Sequence, residues 1–119
     1  MARDIFKELK ETFEELKIPA GLGYYIGTGD EPIFIVYLPY NEDPTAVAEN
    51  QVAEMTHLLK IDIIARNGNS FIETEEIIRN KLKSMGYIFS NAELSVDTSE
   101  PYNYHRVLHY SIKEHFEDI

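Results

Sequence analysis

The stretch Leu59-Lys60-Ile61-Asp62-Ile63-Ile64-Ala65-Arg66 decides how this chain is read. Leu59, Ile61 and Ile63 alternate with Lys60 and Asp62, which is the period of a strand with one buried face. The strand is expected to run from Met55 to Arg66, and Asn67-Gly68-Asn69 reads as the turn after it. Beyond the turn the period changes. Phe71, Glu75, Ile78, Leu82 and Met85 follow helical spacing, Ser70-Phe71-Ile72-Glu73 has the form of a capping box, and Gly86 suits a left-handed C-cap.

Working towards the N-terminus, Ile33 to Tyr40 is rich in β-branched and aromatic residues and predicts a strand, with Pro39 at its end or on an edge. Asn41 to Glu54 is polar, acidic and interrupted by Asp43-Pro44, so a long loop is expected there, a kind of segment that is usually functional or disordered. Asp4 to Lys17 predicts an amphipathic helix with Phe6, Leu9, Phe13 and Leu16 on its apolar stripe, ended by Pro19 and the glycines at 21 and 23. A short strand is expected around Tyr24–Ile26.

Towards the C-terminus, Tyr87 to Phe89 starts a strand that Leu94 to Val96 continues after a bulge or turn. Tyr104 to His115 alternates strictly. Tyr104, Leu108, Tyr110 and Ile112 take one face, and His105, Val107, His109 and Ser111 the other. The order predicts an α+β fold: one domain over residues 1–119, with an antiparallel or mixed β-sheet of four to five strands and two main helices packed on one face.

Composition agrees with a globular chain of 119 residues, 44% hydrophobic and 27% charged, able to bury one core without staples. The absence of cysteine excludes disulfides, thiolate zinc sites and Cys nucleophiles. Met1-Ala2-Arg3-Asp4 leads into a charged amphipathic stretch, so neither a signal peptide nor a membrane partner is expected. Net charge is −10, and from Ile18 to Leu59 there is no Lys or Arg beside the six acids Asp30, Glu31, Glu42, Asp43, Glu49 and Glu54. Such a surface repels phosphates, so no specific nucleic-acid binding is expected.

Residues that could carry chemistry are thin. The glycine-dense run Gly21 to Asp30 follows a helix and leads to a strand, the reverse of a phosphate loop, and lacks its lysine. His105 and His109 on a strand stand about 13 Å apart, too far to share an ion, so no metal or other cofactor is expected. The histidines, His57 included, read as surface or cross-strand packing residues. Glu73, Glu75 and Glu76 are expected at the start of the second helix, where carboxylates complement the dipole. Asp62 should face away from Ile61 and Ile63, in solvent or in a cross-strand ion pair. None of Ser70, Ser84, Ser90, Ser95, Ser99 and Ser111 sits in a nucleophile elbow.

Several segments together carry a family resemblance. They are Ile18-Pro19 before the glycines, Ile35-Val36-Tyr37 before the acidic stretch with Glu49-Asn50, and Leu59-Lys60-Ile61-Asp62-Ile63. Leu82-Lys83-Ser84-Met85-Gly86-Tyr87 and Tyr104-His105-Arg106-Val107-Leu108-His109-Tyr110 complete the set. In order and spacing the chain resembles the tail-completion (head–tail joining, minor tail) proteins of long-tailed bacteriophages and of prophages in Gram-positive bacteria. Glu49 departs mildly from the Asp expected before Asn50. The resemblance implies an α+β protomer that closes into a ring, typically a hexamer, between tail tube and head connector. It implies no enzyme activity and no cofactor. Its partners would be other copies of itself and neighbouring tail and head-connector proteins, first in the host cytoplasm and then in the virion tail.

Two other readings stand beside it. One is an acidic interaction module, a nucleic-acid mimic or inhibitor of a basic partner. The other is a small enzyme with a site assembled from scattered residues. Within the first reading, Glu42, Asp43, Glu49, Asn50 and Glu54 are the expected interface or lumen loop, facing neighbours or a channel through which DNA passes. Against that stands a solvated acidic face that only aids solubility.

Overall fold

The computed structural model describes residues 3–27, 29–66, 68–96 and 101–116. Met1, Ala2, Thr28, Asn67 and Ser99, which figure in the expectations above, lie outside them. The chain runs α1 (Ile5–Leu16), β1 (Ala20–Leu22), β2 (Ile33–Ala48), β3 (Gln51–Ala65), α2 (Gly68–Ser84), β4 (Ile88–Val96) and β5 (Tyr104–His115). The α+β expectation is met by one five-stranded mixed sheet in the order β1-β2-β3-β5-β4, with two helices. β1 pairs parallel with β2, and every other pairing is antiparallel.

β3 is flanked on both sides, which explains its apolar run. On one face Leu59, Ile61, Ile63 and Ala65 are fully buried. They meet Ile35 and Tyr37 of β2, Leu108, Tyr110 and Ile112 of β5, and the helical stripes above. At about 1.5–3 kcal/mol for each large apolar side chain removed from water, this layer holds the domain together. The α2 stripe is as expected: Phe71, Glu75, Ile78 and Leu82 are buried and Met85 packs at the margin. On α1 the buried set is Ile5, Leu9, Thr12 and Phe13, whereas Phe6 is 45% exposed and Leu16 only half-buried. The stripe is rotated by one position, and Thr12 Oγ1 lies 3.6 Å from Met85 Sδ at the end of α2.

Both helices end in the same left-handed turn. Gly86 has φ +92°, with its N–H donating to Lys83 O and Tyr87 N–H donating to Leu82 O. Lys17 takes the equivalent place in α1 at φ +59°, with Ile18 N–H donating to Phe13 O. The start of α2 differs from expectation. The helix begins at Gly68, so Ser70 lies inside the first turn and Glu73, Glu75 and Glu76 fall beyond it.

Two further segments differ. The strand expected around Tyr24–Ile26 forms instead at Ala20–Leu22, paired with Ile35–Tyr37. Gly21 permits this, since a Cβ there would lie 1.9 Å from the Tyr24 carbonyl oxygen; Tyr24 and Ile26 are left exposed. The larger correction concerns Asn41 to Glu54. It is not a loop. β2 and β3 continue through it as a hairpin closed at Glu49-Asn50.

Candidate functional site

The hairpin is the feature that most sets this molecule apart. β2 has 16 residues, about 53 Å of extended chain, and the molecule measures 55 × 25 × 23 Å. Among the described residues no strand borders β2 on its other side beyond Leu22↔Tyr37, and β5 stays beside β3 to Glu54↔His115, with Phe116 N–H donating to Ala53 O. From Asn41 outward the hairpin forms an arm, three-stranded with β5 as far as Ala46 and Glu54 and, among the described residues, two-stranded only at the tip beyond them.

Its sequence explains why periodicity predicts a loop there. Register shifts occur between Pro39 and Asn41, Pro44 and Ala46, and Ala46 and Val47, so inward and outward positions exchange and no single alternation survives. The reversal residues Glu49 and Asn50 stand at φ +51° and +65°. Both central residues at positive φ mark the turn that matches strand twist, usually built from Asn-Gly.

The five residues of the expected interface loop are all on the arm, yet they do not form one face. Glu49 and Asn50 make its tip. Asp43 is exposed and accepts from Asn41 Nδ2 at 2.9 Å. Glu42 pairs across from His57, with Oε1 3.5 Å from His57 Nδ1. Glu54 accepts from Thr45 Oγ1 at 2.6 Å and lies 3.6 Å from Lys113 Nζ and 3.4 Å from His115 Nδ1. The Thr45 hydrogen bond first, and then the charges of Lys113 and His115, hold the Glu54 carboxyl below its usual range. The stretch that lacks Lys and Arg in sequence thus receives cations from β5. That pairing, at a separation of some sixty positions, had no local signal.

At the base of the arm a buried ionic cluster joins it to the body. His57 Nε2 lies 3.0 Å from Glu114 Oε1, and both side chains are almost wholly enclosed. The Arg3 backbone N–H donates to the other Glu114 oxygen. Desolvation pushes the Glu114 carboxyl up, but the Arg3 N–H and then His57 outweigh it, and the net result is a lowered pKa. The Arg3 guanidinium meanwhile pairs with Glu8 and lies over the Tyr87 ring, and Tyr87 donates to Glu8 at 3.1 Å. Of the two expected readings, surface or cross-strand packing, His57 takes the cross-strand one. It links β2, β3 and β5 where the arm departs.

On the helix-free face of the sheet, Asp62 faces away from Ile61 and Ile63 as expected and pairs with Lys60 at 3.6 Å and His105 at 3.8 Å. It is buried rather than solvent-exposed, because Val36 and Val107 flank it on the neighbouring strands. His105 and His109 share this face of β5, as the alternation predicts.

A second cluster lies under α2. Arg106 donates through Nε to Glu75 Oε1 at 2.7 Å, and Arg79 holds the other oxygen at 3.2 Å while stacking over Phe89. Glu75, Arg79 and Phe89 line a groove of about 680 Å³ between α2 and β4, with Glu76, Lys83 and Tyr110 also on its walls. Burial pushes the Tyr110 hydroxyl pKa up, and its oxygen has no hydrogen-bond partner among the described residues.

Buried carboxylates here sit beside Arg, Lys or His, while Asp62 Oδ1 has no hydrogen-bond partner among the described residues. No described helix is long and apolar enough to cross a membrane. No protein-family model matches the chain, and no curated protein matches it significantly.

Proposed function

We propose that the protein is a non-enzymatic structural component of a long-tailed phage, completing the tail and joining it to the head connector as a ring of identical copies. One observation supports the reading: the β2–β3 hairpin continues past β5, and among the described residues nothing pairs with its tip. Two strands alone are marginal in water, so such a tip gains stability by packing on another surface. The sequence resemblance described above supplies the setting. A ring needs a contact between two different patches of the protomer, with a rotation that closes, and an arm at one end of the sheet with a free edge at the other is of that kind.

The acids enter this reading through the arm's exposed positions, Asp43 and Glu49. Glu42 and Glu54 are occupied by His57, Lys113 and His115.

The experiment is genetic and visual. Deleting the chain from the phage that encodes it is expected to leave filled heads and unjoined tails. Purified protein added back is expected to restore joining, with several symmetric copies at the junction in electron cryomicroscopy. Normal virions after deletion, or a single copy at the junction, would overturn the proposal.

A further inference from the structure

Where the arm leaves the body, one imidazole stands between two carboxylates. His57 of β3 has Nε2 3.0 Å from Glu114 Oε1 on β5 and Nδ1 3.5 Å from Glu42 Oε1 on β2. The His57 side chain is 7% exposed, against 53% for Glu42. Arg3, just before α1, donates its backbone N–H to the second Glu114 oxygen, while its guanidinium turns to Glu8. Asp4, the N-cap of α1, lines the same small cavity as Glu42 and His57.

The two ring nitrogens are not equally served. A neutral imidazole has one N–H donor and one lone pair. With the N–H on Nε2, Glu114 receives its hydrogen bond and the lone pair of Nδ1 faces the Glu42 carboxylate. Nδ1 is buried and has no hydrogen-bond partner among the described residues. A second proton makes the ring a donor at both nitrogens and turns the approach to Glu42 from repulsive to attractive. The chain can respond at this point. The register shift between Pro39 and Asn41 comes directly before the Glu42↔His57 pair, and such a bulge interrupts the ladder.

We infer that His57 is a proton-operated latch: its doubly protonated ring clasps Glu42 and fixes the base of the arm to the body, and loss of the Nδ1 proton releases that side. Proton binding and closure of the junction are linked, so each favours the other. The clasp is therefore present while the ring is protonated and is lost as pH rises. Imidazoles change charge between about pH 5 and 8. Desolvation pushes the Glu114 carboxyl up, but the Arg3 N–H and then His57 hold it below 4.5, so Glu114 stays ionised across that window. The latch belongs to a single chain and does not depend on the ring proposed above.

The test follows junction amides of the dilute protein by hydrogen exchange from about pH 5.5 to about 8.5. Each rate is divided into that of the unfolded chain at the same pH, which gives a protection factor. Protection at Glu42, Asp43, Thr56 and His57 is expected to fall at least about twofold as pH rises, the size of one partly exposed ion pair. His57→Gln is expected to abolish the fall. Glu42→Gln, at a half-exposed position where the fold tolerates it, is expected to abolish it too, since the amide has no charge to follow that of the ring. His115→Gln is the control, because His115 also reaches the arm, with Nδ1 3.4 Å from Glu54; it is expected to leave the fall unchanged. Constant protection over this range in the wild type would overturn the inference. So would a fall that persists in Glu42→Gln, or one that His115→Gln removes.

Discussion

Near the body, β2 and β3 bury Ile35, Tyr37, Leu59, Ile61 and Ile63 under two helices; in the arm, the same two strands leave Val47 largely in solvent. Hydrogen bonding between the strands continues throughout. What changes is the third layer. A hairpin stays in register anywhere, but it contributes to stability only where its side chains are covered. The contrast separates the covered part of the hairpin from the part left in solvent.

The largest expected effect breaks the body. Ile61→Ala is expected to cost about 2–5 kcal/mol, since the site is fully enclosed and cannot collapse freely. Val47→Ala in the arm is expected to change stability by less than about 0.5 kcal/mol. Denaturant melts of the two variants check the pair, and comparable losses would mean that the arm belongs to the folding core.

Next comes the junction between the two regions. Glu114→Gln leaves His57 and the Arg3 N–H facing a neutral amide and is expected to cost about 1–3 kcal/mol at neutral pH. The folded pKa of Glu114 is lowered from 4.5, so its contribution is full above that pH and lost as pH falls through the folded value. Melts of wild type against Glu114→Gln from pH 7 downward should therefore converge below about 4.5. A constant gap across that range would contradict the assigned role.

The division between body and arm also marks what could be read from sequence. Leu59, Ile61 and Ile63, the α2 stripe, and Tyr104 to Ile112 each face one buried surface, so periodicity reports them directly. The arm has no buried face to report. Its register shifts and prolines scramble alternation, and Glu49-Asn50 is a reversal without the glycine that usually announces one. The acids were legible as a cluster. Their partners were not, because His57, Lys113 and His115 reach Glu42 and Glu54 only through strand pairing. Asp62 was placed on the correct face by alternation, yet its burial follows from Val36 and Val107 on other strands.

The smallest expected effect sharpens the arm alone. Glu49→Asn with Asn50→Gly relieves two non-glycine residues at positive φ and is expected to stabilise the hairpin by about 0.5–1 kcal/mol. Amide exchange of the arm should slow by that amount while the global unfolding midpoint stays where it was. A matching rise in the midpoint would show that arm and body unfold as one unit.

The central claim is that the arm is completed by another chain, and native-state hydrogen exchange tests it most directly. The amides of Val47, Gln51 and Val52 are compared with those of Ile61 and Leu108, in dilute protein and after self-assembly. The account predicts fast exchange at the arm and slow exchange in the body when dilute, with the arm alone gaining protection on assembly. Arm amides already as protected as Ile61 in the dilute monomer, or unchanged by assembly, would contradict it.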